Sequence, residues 1–387
     1  MLSGVILFAA GAFAPAPALH ALIVGGGPDK SHNQVAIESN VRYVDRLLPH
    51  STPRHILFAD GDPAAVNVQY QDSDKSIRYR APELPRLDGP AVLANVQQEI
   101  ASLAQESRSR PRDPVLLYFT GHGSPSRSSQ YENNRYDLWG GQSIDVKTLA
   151  RSIDAFPANT PLTLVMVECY SGAFGNLLFE KGEPAGTLGA HHICGFFASV
   201  PQRMAAGCTP EVNEANYRDF TSYFFAALTG VDRLGKSVTG ADYNRDGHVG
   251  MDEAYAYALI HDDSIDTPVC TSDVFLRHYV TTGNEQVFAA NYSTVERWAS
   301  QAQRAVLREL ASALSLEGEG RLAVAFERFQ RIQPNSEDLS DVRLLRFVRV
   351  AKSVVLAHTL MESGDADVRA RYEQLVREEA GNPLRGR

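Results

Sequence analysis

Close cysteine pairs are missing from this chain. Its 387 residues include only four cysteines, Cys169, Cys194, Cys208 and Cys270, and no C-x-x-C. That argues against a zinc ribbon or a thioredoxin-type motif. One disulfide among Cys194, Cys208 and Cys270 is compatible with an exported protein, and the sequence leaves the pairing open. A basic stripe is missing as well. The net charge of -9 argues against nucleic acid as a partner. No segment beyond the N-terminus is long and apolar enough for a stable membrane span. H-E-x-x-H, G-x-S-x-G and Walker motifs do not occur. "VGGGPDKSH" (24–32) breaks the G-x-G-x-x-G pattern at Lys30, so no organic cofactor is expected.

The N-terminus does carry a short apolar stretch. Val5 to Phe13 is too short for an anchor, and small residues follow, among them Ala16-Pro17-Ala18. Residues 1–18 are expected to be a signal peptide and the protein to be exported, periplasmic or secreted. Without such a signal the protein is cytoplasmic.

Five continuous apolar runs follow: "HALIVGG" (20–26), "HILFAD" (55–60), "VLLYFTG" (115–121), "LTLVMVEC" (162–169) and "HICGFFAS" (192–199). Unbroken rather than alternating apolarity suits strands buried on both faces of a parallel sheet. Helical spacing fills 33–48, 91–105 and 145–156, so the pattern is α/β. "RDFTSYFFAAL" (218–228) reads as an apolar packing helix. Two long polar loops, 69–90 and 124–142, interrupt the alternation, and the second is expected to border a cleft. From 286 to 387 glycine and strand signals give way to amphipathic helices. "GEGRLAVAFERFQRIQPN" resembles a tetratricopeptide hairpin, but no second copy follows at a fixed period. The division is therefore a main domain over 19–285 and a helical C-terminal region over 286–387.

The chemistry concentrates where two of the strands end. In "VLLYFTGHGSP" (115–125) His122 stands between Gly121 and Gly123. In "VMVECYSGAFG" (165–175) the strand gives out at Cys169. Ligands and active sites gather outside the carboxyl ends of parallel strands. A thiol needs a base to become a nucleophile, and an imidazole titrating near neutrality is suited to that task. Flanking glycines let a substrate backbone approach and leave amides to face an oxyanion. Taken singly, each residue has a plainer account: a buried cysteine as a small core hydrophobe, and a histidine beside a turn as a hydrogen-bonded surface group.

"YFTGHGS" followed by "ECYSGAF" resembles the caspase-like cysteine peptidases, which include caspases, metacaspases, legumains and bacterial relatives. The resemblance spans roughly residues 20 to 285. It implies a three-layer caspase-like sandwich with a mostly parallel central sheet, followed here by the all-helical C-terminal region. It implies Cys169 as nucleophile and His122 as general base and later acid. The oxyanion donors would be the amides of Gly123 and Cys169. The substrate would be a protein or peptide. Ser199 and the following "VPQRM" (200–204) would line the pocket by position. One departure leaves the P1 preference open. The family commonly has an acid two positions before the cysteine, and here that position is Val167. Glu168 lies next to the cysteine, on the opposite face of the strand.

"DYNRDGHVGMDE" (242–253) fits D-x-[DN]-x-[DN]-G-x5-E. Asp242, Asn244 and Asp246 would offer side-chain oxygens, His248 its carbonyl and Glu253 both carboxylate oxygens. A structural or regulatory Ca²⁺ is expected, in an EF-hand-like loop that has only its exiting helix. His191-His192 reads as a polar pair at a sheet edge. Two functions fit these readings: a calcium-binding cysteine endopeptidase, or an inactive caspase-like scaffold that binds protein partners through its helical region.

Overall fold

The computed structural model describes residues 17–128 and 130–385. Residues 1–16 of the expected signal peptide lie outside the described residues. In chain order the first half runs β1 (His20–Gly26), α1 (Val35–Leu47), β2 (Arg54–Phe58), β3 (Val68–Gln71), β4 (Ile77–Arg80), α2 (Leu93–Ser107) and β5 (Val115–Gly121). Then come β6 (Gly123–Ser124), β7 (Arg135–Leu138), β8 (Gln142–Asp145), α3 (Val146–Ile153), β9 (Pro161–Met166) and β10 (His192–Phe197). The rest is α4 (Phe220–Thr229), α5 (Met251–His261), β11 (Val269–Cys270) and α6 (Thr271–Tyr279). The chain closes with α7 (Asn284–Phe288), α8 (Tyr292–Trp298), α9 (Gln301–Ala313), α10 (Arg321–Phe329), α11 (Leu339–Ser363) and α12 (Ala366–Glu379).

The five apolar runs all become strands of one six-stranded sheet, in the order β11-β10-β9-β5-β1-β2. All neighbours are parallel except β10 and the short edge strand β11. Successive side chains of a strand feed two separate cores, as the pleat requires. Ala21, Ile23, Leu116 and Tyr118 pack with residues of α1, α4 and α5. Leu22, Val24, Leu117 and Phe119 pack with residues of α2 and α3. Each of the larger side chains buried this way stabilises the fold by about 1.5–3 kcal/mol. Asp145 and Asp219 cap α3 and α4 by accepting from Thr148 N and Ser222 N, 2.7 Å each. The two long polar loops are not structureless: β3 and β4 pair antiparallel within the first, and β6, β7 and β8 form a small antiparallel sheet around the second.

Helices α7 to α11 share an apolar cluster with Ala256 and Leu259 of α5. Arg346 of α11, fully buried, ties this cluster to the end of α5 and the segment after it. Its guanidinium donates to the carbonyls of Leu259, Asp262, Ser264 and Asp266. A buried cation is tolerated only with such satisfaction. All four cysteines are free thiols, so the one disulfide that export would allow among Cys194, Cys208 and Cys270 is not formed. The reason is packing: Cys194 and Cys270 are buried on β10 and β11, and Cys208 donates to the Gly121 carbonyl at 3.3 Å. Among the described residues no helix is long and apolar enough to cross a membrane.

Candidate active site

The hydrogen-bond register between β5 and β9 sets the site. Phe119 pairs with Met166, and Val167 N donates to Phe119 O at 3.0 Å. His122 and Cys169 each follow by the same three residues, so their backbones leave neighbouring strands at the same carboxyl edge. The two turns touch. A Cβ on Gly123 would lie 2.1 Å from Cys169 O and 2.7 Å from Glu168 Cγ, so only glycine fits where the chains cross.

Each turn is held in place by the loops around it. Tyr170 adopts a left-handed conformation (φ 64°), which for a residue with a Cβ stores about 1–3 kcal/mol of strain. Its amide donates to Arg203 O at 2.8 Å, which stabilises the turn. Asn134, fully buried, donates to Tyr170 O (3.1 Å) and to Pro201 O (2.9 Å) and accepts from Ser126 N (2.9 Å). One amide side chain therefore clamps the 124–142 loop, the cysteine turn and the segment after β10. Ser199 Oγ donates to the carbonyls of Arg203 and Met204, both at 3.1 Å, and fixes the curl of that segment.

The reactive atoms have their own partners. Cys169 is half-buried. Its Sγ accepts from Ala205 N at 3.3 Å and lies 3.6 Å from Ala205 O. Burial pushes the thiol up from its ordinary range, with the Ala205 amide acting the other way. His122 is half-buried too, with Nε2 2.9 Å from Gln34 Oε1. An amide oxygen can only accept, so in the tautomer with the hydrogen on Nε2 the basic lone pair stands on Nδ1. Burial pushes the imidazole down and the charge of His32 adds to this, while a hydrogen bond to the His32 backbone and the carboxylates of Asp137 and Asp29 act the other way; the net direction favours the neutral ring. His32 meets it edge-on with ring centroids 5.7 Å apart and is itself bonded to Asp29. No hydrogen bond joins the thiol to the imidazole among the described residues. The site thus presents two neutral groups on adjoining turns.

Glu168 points away from this opening. It is fully buried behind Gly123, and neither carboxyl oxygen has a hydrogen-bond partner. Burial pushes its carboxyl well above the usual range. Val167 is buried also. Gln34, Asn134 and Ala205 carried no motif. The one signal for Gln34 was its place as the polar residue immediately before the apolar helix α1, where its side chain makes no cap.

The acidic loop 242–253 forms a tight turn with Gly247 left-handed at φ 84°. Asp242 accepts from Asp246 N (3.2 Å) and Gly247 N (3.0 Å), and Asp246 from His248 N (2.8 Å). Glu253, in the first turn of α5, accepts from Asn244 N (2.9 Å) and Gly250 N (3.2 Å). Its donors are all oxygens, the set that a hard cation takes. Among the described residues no three His, Cys, Asp or Glu side chains are gathered into one metal-binding cluster. His191 and His192 stand at the opposite, amino edge of the sheet, beside Asp154 (3.5 Å) and Glu378 (2.9 Å).

No family model matches the chain, and no curated protein matches it. Solved structures give distant likenesses. Protein GSU0716 from Geobacter sulfurreducens has 14% identity over 66% of this chain and 92% of its own, with a TM-score of 0.38. Raptor from Chaetomium thermophilum has 10% identity over 94% of this chain, with a TM-score of 0.33; the match spans 38% of the Raptor chain. A secreted C11 cysteine protease from Bacteroides thetaiotaomicron, in complex with an irreversible peptide inhibitor, has 11% identity over 71% of each chain and a TM-score of 0.30. Likenesses at these TM-scores assign no activity.

Proposed function

We propose that the protein is an exported cysteine endopeptidase with a three-layer caspase-like fold, using Cys169 and His122. The observation that carries this reading is the crossing of the two turns, with Gly123 against the Cys169 carbonyl at the carboxyl edge of β5 and β9. In the first step the Sγ–H proton moves to His122 Nδ1, and the sulfur attacks the peptide carbonyl carbon. The amides of Gly123 and Cys169 take up the oxyanion charge. The C–N bond then breaks, and the imidazolium gives its proton to the leaving amine. Water attacks the thioester with His122 as base, and the thiol leaves with the proton returned. The thiol must first turn from Ala205 toward the imidazole; catalytic hydrogen bonds often tighten only when substrate binds.

Treating the full chain with a peptide acyloxymethyl ketone tests this. Mass spectrometry should find one adduct on Cys169, absent in Cys169→Ala. No adduct at any calcium concentration would overturn the reading and favour the inactive scaffold, which the separate partners of thiol and imidazole otherwise support.

Calcium belongs to the same proposal. Asp242, Asn244, Asp246, the His248 carbonyl and Glu253 would hold it, and it would brace the entry to α5. Chelation should lower the melting midpoint by about 3 °C, and Glu253→Gln should remove that difference. An equal midpoint with and without chelator rules the ion out.

A further inference from the structure

A cavity of about 400 Å³ lies between the segment after β10 and the C-terminal helices. Its walls carry four cations, Arg203, Arg277, Arg349 and Lys352, and no carboxylate. Most of the remaining wall is apolar, with Phe288 and Phe326 stacked at 4.4 Å.

The charges do not balance. Arg277 and Arg349 share one buried carboxylate, Asp273, which accepts from both. Lys352 has no ion pair among the described residues; its Nζ donates to Oδ1 of the Asn284 side chain at 2.8 Å. Arg203 has none either, and its guanidinium is spent on the carbonyls of Pro334 and Ser336. Glu337 and Asp341 act on it only at longer range. Burial and the nearby guanidinium groups of Arg277 and Arg349 both work against the charge on Lys352. Three neighbouring cations thus face one carboxylate in a setting where water is partly excluded. Cations in such a setting are strongly favoured by an arriving anion. Volume and walls are those of a small-molecule site, mostly apolar with a few convergent polar groups.

We propose that this cavity binds an organic anion with an aromatic or branched apolar body, its acidic group on Lys352, Arg349 and Arg277 and its body against Phe288 and Phe326. The site is separate from the thiol yet shares a wall with it. Val200, Gln202 and Arg203 line the cavity, while Arg203 O holds the amide of Tyr170 and Ala205 N bonds to the Cys169 sulfur.

Calorimetry on the full chain tests the proposal with 4-phenylbutanoate, its uncharged alcohol, and N-acetylphenylalanine. A saturable one-to-one heat is expected for at least one of the carboxylates, with the alcohol weaker by about tenfold or more. Tighter binding of phenylbutanoate identifies a free small acid. Tighter binding of N-acetylphenylalanine identifies the C-terminus of a peptide ending in an apolar residue. Lys352→Gln keeps a donor for Asn284 and should weaken the carboxylate about tenfold while leaving the alcohol unchanged. Val348→Phe, which fills the cavity, should abolish both. An unchanged melting midpoint of Lys352→Gln separates lost binding from lost folding. Equal affinity for carboxylate and alcohol, an unaltered Lys352→Gln, or no saturable heat with either acid overturns the assignment.

Discussion

His122, at the carboxyl edge of the central sheet, is held differently from the histidines of the amino edge. At or near the amino edge stand His20, His55, His191 and His192, each within 3.5 Å of a carboxylate: Glu106, Glu99, Asp154 and Glu378. At the carboxyl edge His32 pairs with Asp29 at 2.9 Å, but His122 has no ion pair among the described residues and bonds to a neutral amide. The amino-edge rings therefore stand in polar pairs with carboxylates, while burial favours the neutral form of His122 and its amide partner sets no charge beside it. Space differs too. Gly123 leaves the carboxyl edge open where any side chain would strike Cys169 O.

Deleting the rings should break this comparison most sharply. His122→Ala should lower kcat/KM on a cleaved peptide by about 10³-fold. His192→Ala should leave kcat/KM within about twofold and lower stability by no more than about 1 kcal/mol. Similar losses in the two variants would mean that the edges are not functionally distinct. Gly123→Ala comes next. Its Cβ must displace the cysteine turn, so stability should fall by about 1–3 kcal/mol. Misplacement on the ångström scale should lower kcat/KM up to about 100-fold. Denaturant titration beside peptide kinetics checks both, and a Gly123→Ala protein of wild-type activity would remove the crossing of the turns from the mechanism.

The parts legible in the sequence were those that apolar burial decides. All five apolar runs are strands, because each is buried on both faces and must read as unbroken Val, Ile, Leu and Phe. The hairpin of β3 and β4 and the small sheet of β6, β7 and β8 were not legible. "VQYQ", "IRYR", "RYDL" and "QSID" are polar and half-exposed, and main-chain pairing that leaves little pattern in side chains holds them. The adjoining positions of His122 and Cys169 followed from strand ends in a parallel sheet. Gln34, Asn134 and Ala205 did not, since each reaches the site across a long sequence separation through hydrogen bonds that leave no local pattern. The cationic cavity is of the same kind. Arg203, Arg277 and Lys352 come from three separate segments, and nothing local marks any of them as sharing a wall.

The finest probe turns the carboxyl edge into a copy of the amino edge. Gln34→Glu sets a carboxylate on Nε2 of His122 at nearly unchanged volume. The wild-type imidazole is held below the ordinary histidine value of about 6.5, chiefly by burial. Activity needs the neutral ring to accept the thiol proton, so the wild-type rate should fall only as pH drops through that lowered value. A glutamate at position 34 favours the imidazolium and moves its pKa up. The acid limb of kcat/KM should then shift to higher pH, with the plateau above it nearly preserved. Gln34→Ala should not shift the limb upward, because it removes the partner without adding charge. A profile that fails to move in Gln34→Glu would mean that the ring bonded to Gln34 is not the group whose titration limits the rate, and His122 would then belong with the polar pairs of the opposite edge.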